Sequence, residues 1–203
     1  MTTPTIPPVT ANAPIRLTWS GIEAFTRELA AQVGGDGMPE TVVGIMRGGM
    51  IPAVMVAHQL GIRDVRTIEV THTVTDGVNA AKTSAPAYKN PTSLGDLAGR
   101  DVLLVDDIAG SGATLERTRR MVAALGVRRL RTAVLTVNRA NWHAPDAPEE
   151  RIDYIAEHTD TWVIFPWETA DGPKARAAAA TPTTGDGPVP QPSAASPSDR
   201  DQN

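Results

Sequence analysis

Short β-branched runs alternate with stretches of helical period along most of this chain, and that alternation leaves few folds open. Thr41–Met46 is an apolar run of strand length. Ile51–Leu60 reads as a helix, with Pro52 in its first turn, where a missing N–H costs little, and Gly61 as its stop. Val65–Thr73 and Asp101–Val105 read as strands. Ala113–Leu125 sets Leu115, Thr118, Val122 and Leu125 on one helical face, and Arg131–Val137 is the next strand. Ahead of these, Ile22, Phe25, Leu29 and Val33 recur at helical spacing. Ser20 and Glu23 have the form of a capping box there, and Gly34-Gly35 stops the helix. Strand–helix–strand order of this kind implies an α/β domain with a mostly parallel sheet and helices on both faces. Ligands of such sheets bind beyond the carboxyl ends of the strands, near the point where strand order reverses. Functional residues are therefore expected just after Met46, Thr73, Val105 and Val137.

Composition removes several classes of function. The 203 residues include no cysteine, which excludes disulfides and thiolate metal sites. Four histidines without ligand-like spacing argue against zinc. A net charge of −4 argues against a general nucleic-acid surface. No apolar run approaches the ~20 residues of a membrane helix. Residues 1–14, rich in Thr and Pro, lack the basic and apolar regions of a signal peptide, so the expectation is a cytoplasmic protein without membrane or nucleic-acid partners. From about residue 171 the chain turns to Ala, Pro, Thr, Ser and Asp without aromatics, too polar to offset its ordering entropy. The expected organisation is a flexible 1–14, a domain over 15–170 and a disordered tail over 171–203, in which Ala175–Ala180 has the makings of a short helix.

The stretch from Val102 to Leu115 carries the chemistry. An apolar strand runs into Asp106-Asp107, a small-residue loop follows, and a helix begins. Gly110 and Gly112 permit close backbone approach, Ser111 and Thr114 offer hydroxyls, and N–H groups at the helix start point outward with the positive end of the dipole. A monophosphate suits such a cup. Two acids do not suit a phosphate; they suit sugar hydroxyls or a hard cation. A second candidate is Met46-Arg47-Gly48-Gly49, where one guanidinium and exposed amides fit a diphosphate. A third is Asp160-Thr161-Trp162-Val163-Ile164-Phe165-Pro166-Trp167-Glu168, in which Trp162 offers a flat face to a heterocycle and Trp167 suits a core. Thr71–Pro91 is polar and aperiodic, and reads as either a lid or a disordered loop.

These segments together resemble the type I phosphoribosyltransferases, and most nearly their xanthine–guanine and hypoxanthine members. The resemblance spans Trp19 to Glu168. It implies an α/β core with a small hood formed largely by 139–170. It implies two substrates, 5-phosphoribosyl 1-pyrophosphate (PRPP) and a heterocyclic base, with Mg²⁺ as cofactor and a homodimer or homotetramer as the assembly. By resemblance, Asp106 and Asp107 face the ribose and bind metal, and Ala109, Gly110, Ser111, Gly112, Ala113 and Thr114 hold the 5′-phosphate. Arg47, Gly48 and Gly49 hold pyrophosphate, with a cis peptide at Met46–Arg47. Asn138, Arg139, Trp162 and Val163 line the base, and Glu168 reaches a second Mg²⁺ through water. Trp142 and His143 stand near enough in sequence to join the base pocket. Asp106, Asp107 and Arg47 are the catalytic candidates.

Two positions depart from the family pattern, and both touch the base. Where the 6-oxopurine enzymes carry an aspartate as general base, this chain has Gly110. Where they carry a lysine toward the 6-oxo group, it has Asn138, which can both donate and accept. The PRPP-binding pattern is intact, so a phosphoribosyl transfer is expected with the acceptor base left open. A PRPP- or nucleotide-sensing regulator on the same fold is the alternative.

Overall fold

A computed structural model describes residues 13–73 and 82–168. Most of the 1–14 stretch, the middle of the Thr71–Pro91 loop, and the 171–203 tail with Ala175–Ala180 lie outside the described residues. The elements in chain order are β1 (Ile15–Arg16), α1 (Trp19–Gly35), β2 (Thr41–Met46), α2 (Met50–Leu60), β3 (Val65–Thr73), β4 (Lys82–Tyr88), β5 (Asp101–Ala109), α3 (Ala113–Ala123), β6 (Arg129–Asn138), α4 (Pro148–Arg151), β7 (Tyr154–Thr159) and β8 (Val163–Ile164).

Six strands form one sheet in the order β4-β3-β2-β5-β6-β7. All neighbours are parallel except β3 and β4. On one face, Ile22, Leu29 and Val33 of α1 and Ala53 and Val56 of α2 meet Val42, Leu103, Val105 and Leu135. On the other, Leu115 and Val122 of α3 meet Val43, Ile68, Leu104 and Val134. Helices on both faces of a mostly parallel sheet is the architecture the alternation demanded. The chain leaves β2 for β3 on one side and later returns to β5 on the other. The switch point is therefore the gap between the carboxyl ends of β2 and β5. No helix of the described residues is long and apolar enough to cross a membrane.

Three local expectations are corrected. First, α1 is capped by Thr18, whose Oγ1 accepts from the Gly21 amide at 3.2 Å, and not by Ser20 with Glu23. Capping two residues earlier lets Leu17 and Ile22 join the same apolar cluster, a staple across the helix entry. Second, Thr71–Pro91 is not wholly irregular. Lys82–Tyr88 forms an antiparallel strand on β3, and Pro86 is tolerated because β4 is an edge strand. Third, β5 does not stop at Val105. It pairs with β6 as far as Ala109↔Val137, so both aspartates belong to a strand. A separate two-stranded parallel pair, β1 with β8, builds the hood.

Candidate active site

The loop after β2 rests directly on the end of β5. The Met46–Arg47 peptide is cis. Arg47 is exposed, Gly49 is buried, and the amides of Met50 and Ile51 return to the carbonyls of Arg47 and Gly48. The two glycines are required by close approach. A Cβ on Gly49 would stand 2.6 Å from the Ile45 carbonyl oxygen and 2.7 Å from that of Val105. A Cβ on Gly48 would stand 1.7 Å from Oδ2 of Asp107. The Arg47-Gly48-Gly49 turn and the Asp106-Asp107 pair are thus one contiguous surface spanning the switch point.

The two aspartates stand side by side at the strand end, near enough for the charge of one to act on the other. Each uses one carboxylate oxygen to order the backbone. Oδ1 of Asp106 accepts from the Asp107 amide at 3.0 Å, and Oδ1 of Asp107 accepts from the Ile108 amide at 2.9 Å. Asp106 is 7% exposed. Burial first, and then the charge of Asp107, raises its pKa well above the ordinary carboxylate range. Two adjacent acids at a buried strand end, each keeping one oxygen out of these backbone bonds, form a hard-oxygen donor set. That set fits a cation such as Mg²⁺, which takes one or two carboxylates and fills the rest of its shell with water and substrate oxygens. Among the described residues no three acidic or histidine side chains converge on a metal position, and Oε2 of Glu168 accepts from the Phe165 amide at 3.1 Å, closing its own turn.

Beyond β5 the loop is shorter than expected. Ala109 turns its side chain into the core at 4% exposure, so the loop proper is Gly110-Ser111-Gly112. Gly112 caps α3 at φ +72°, a conformation that favours glycine. Ser111 Oγ lies 3.4 Å from the Ala113 amide, and Thr118 Oγ1 donates to the Thr114 carbonyl one turn into the helix. No side chain caps α3 at Gly112, and the first amides of a helix have no intrahelical acceptor.

The base side is only partly as expected. Asn138, 3% exposed at the end of β6, donates from Nδ2 to the Thr161 carbonyl at 3.1 Å and so fastens the hood segment next to Trp162. Arg139 is not brought to the same place. Its guanidinium meets His158 Nδ1 at 3.1 Å and Glu149 Oε1 at 3.2 Å, because consecutive residues leave a strand on opposite sides. Trp162 is 47% exposed, while Val163 is buried in the core. The hood backbone is tied to β1 by Ile15 N–H to the Trp162 carbonyl and Leu17 N–H to the Ile164 carbonyl. Trp167 stacks on Phe165 at a 4.6 Å centroid distance and tilts against Trp19, so it is packing, as its pattern indicated. Trp142 does not point to the hood; its ring lies on Gly112. Sequence reasoning missed that contact, since an aromatic four residues past a strand carries no signal of the loop it will cover.

The comparisons with known proteins agree with this geometry. The profile of the phosphoribosyl transferase domain family matches residues 17–172. The xanthine-guanine phosphoribosyltransferase of Ruegeria sp. (strain TM1040) is 34% identical over 163 residues, covering 76% of this chain and 85% of the relative. That of Cereibacter sphaeroides is also 34% identical over 163 residues, covering 76% and 86%. The crystal structure of a purine phosphoribosyltransferase from Pyrococcus horikoshii Ot3 superposes with a TM-score of 0.63 at 29% identity, covering 77% of this chain and 94% of that one. With two phosphate-type loops meeting an acid pair at the switch point and a relationship that spans the whole core and hood, the chain belongs to the phosphoribosyltransferase family.

Proposed function

We propose that this enzyme moves the 5-phosphoribosyl group of PRPP onto a nitrogen of a purine-like base in the cytoplasm, as a homo-oligomer, releasing pyrophosphate. The observation that carries the reading is the seating of Arg47-Gly48-Gly49 on Asp106-Asp107, beside the Gly110–Thr114 cup. In this reading the amides of Gly110 to Thr114 and the Ser111 and Thr114 hydroxyls grip the 5′-phosphate. Asp106 and Asp107 accept from the ribose hydroxyls and orient the ring. The exposed Arg47 guanidinium and the Gly48-Gly49 amides take the pyrophosphate and hold its growing charge as the C1–O bond lengthens. Asp106 and Asp107 would also hold Mg²⁺, which when bound neutralises part of the leaving group's charge.

The transition state for displacement at an anomeric carbon is oxocarbenium-like, so charge stabilisation and exclusion of water count for more than nucleophile strength. Trp162 supplies a stacking face and the Val163 backbone a polar edge, while Asn138 holds the segment that carries them. Arg139 has no part in this reading, and Glu168 serves the hood turn. Gly110 offers no carboxylate toward the base. The acceptor is therefore set by stacking and backbone contacts more than by a side-chain base.

The test is pyrophosphate release from PRPP and Mg²⁺ with adenine, guanine, hypoxanthine, xanthine and related heterocycles. Turnover is expected on at least one purine-like base. Tight PRPP binding with no turnover on any of them would replace the enzyme reading with the sensing one, which the relatives' names do not support.

A further inference from the structure

We infer that Trp142 is a positioning residue for the phosphate loop, holding Gly110-Ser111-Gly112 in its gripping shape before any ligand arrives. This rests on the assignment of Gly110–Thr114 to the 5′-phosphate. The ring lies so close to Gly112 that a Cβ there would stand 2.7 Å from both Cζ3 and Cη2 of Trp142. The position at φ +72° thus tolerates only glycine for two reasons, its backbone and the indole on it. The indole is itself held. Nε1 donates to the Asp146 carbonyl at 2.8 Å, and the Asp146 carboxylate receives both Nε and Nη2 of Arg151 from α4. Trp142 also packs on the apolar cluster under α3.

The arrangement answers a physical need. A Gly-Ser-Gly loop is the most entropic connection a chain can make, and ordering it is charged to whatever it binds. Between the loop and the 142–152 segment lies a cleft of about 90 Å³, so the loop is not otherwise packed on that side. An indole wall fixed from α4 supplies the missing restraint. Because the restraint acts equally on bound substrate and transition state, its loss should appear in affinity and not in turnover.

The test compares wild type with Trp142→Ala and Trp142→Phe in calorimetric titrations of PRPP–Mg²⁺ and, separately, inorganic pyrophosphate–Mg²⁺. Trp142→Ala should raise the PRPP Kd about tenfold and its KM likewise, with kcat within about twofold, the pattern of lost uniform binding. Trp142→Phe should recover most of the affinity, because a ring remains on Gly112. Pyrophosphate affinity should not move in either variant, since its turn lies on the far side of β5. Wild-type affinity for PRPP in Trp142→Ala, or an equal loss for pyrophosphate, overturns the inference. Should Trp142→Ala fail to fold, Trp142→Leu takes its place. It keeps apolar bulk without the flat ring and should raise the PRPP Kd severalfold, and wild-type PRPP affinity in that variant overturns the inference. A wild-type protein that binds no PRPP removes the functional reading and this inference together.

Discussion

The two ends of the sheet handle buried charge in opposite ways. At the amino end the acids are matched with guanidinium groups. Asp101, 5% exposed, is met by Arg131 Nη2 at 2.8 Å, and Arg131 also donates to the Gly37 and Val33 carbonyls and to Tyr154. Burial alone would lower the Arg131 pKa, but the bonds to Tyr154 and Asp101 carry it upward. Asp64 is held bidentately by Arg66, and its Oδ2 also receives Arg100 and the Thr41 hydroxyl. At the carboxyl end Asp106 faces the charge of a second acid, and no guanidinium or ammonium of the described residues pairs with it. One end pairs its buried acids with guanidinium groups; the other leaves Asp106 beside a like charge. That is the pattern expected when stability and function occupy opposite ends of one scaffold.

The strongest way to break this comparison is to break the amino-end pair. Arg131→Ala leaves Asp101 buried without its partner, and one-sided removal of a buried ion pair typically costs ~3–5 kcal/mol. Denaturant unfolding should show that loss. The folded fraction should nonetheless keep wild-type kcat and KM, because Arg131 lies at the far end of β6. A fall in kcat in fully folded protein would mean that the two ends are not independent.

The converse change sharpens it. Asp107→Asn keeps the size of the side chain and the acceptor for the Ile108 amide, so the melting temperature should stay near wild type. Pyrophosphate release should fall by at least ~10²-fold, the scale of a positioned charged group. Near-normal release would take Asp107 out of the mechanism and leave the carboxyl-end acids as mere strand-end caps.

Much of this division was legible in the sequence, because both phosphate-type loops are local features. Arg47-Gly48-Gly49 and Asp106 to Thr114 each form from consecutive residues at a strand-to-helix junction, and periodicity places such junctions well. The strand lengths were less legible. β5 reaches Ala109 because β6 lies beside it, and an Asp-Asp pair has no strand propensity to announce that. Contacts between distant segments were not legible at all. The Asn138 tie to Thr161, the Arg139 escape to Glu149, and the Trp142 wall on Gly112 depend on where the 139–162 segment crosses the sheet end. One residue of register separates the Asn138 tie to Thr161 from the surface ion pair of Arg139 there, and no spacing rule resolves one residue.

The smallest expected effect tests the comparison through the sign of a pH dependence. Arg66 first, with Thr41 and the charges of Arg66 and Arg100, lowers the Asp64 pKa against the opposing effect of burial. A lowered carboxyl pKa means the unfolded chain binds the proton more readily, so its stabilisation is present above the unfolded value of about 3.9 and is lost as pH falls through the folded value. Asp106 has the reverse sign. Its raised pKa means the folded chain holds the proton more tightly, so its contribution is full in acid and is lost as pH rises from the unfolded range toward the folded value. In buffer containing a chelator at pH 8, Asp64→Asn should therefore be less stable than wild type by about 1 kcal/mol. Under the same conditions Asp106→Asn should be more stable by about 1 kcal/mol, the usual gain on replacing a functional group held at a cost. The Asp106 difference should shrink toward zero as pH falls from the raised folded value to ~4, and the Asp64 difference only below pH ~4. If Asp106→Asn instead destabilises the protein at pH 8, then that carboxylate is satisfied within the fold, and the contrast between the two ends of the sheet fails.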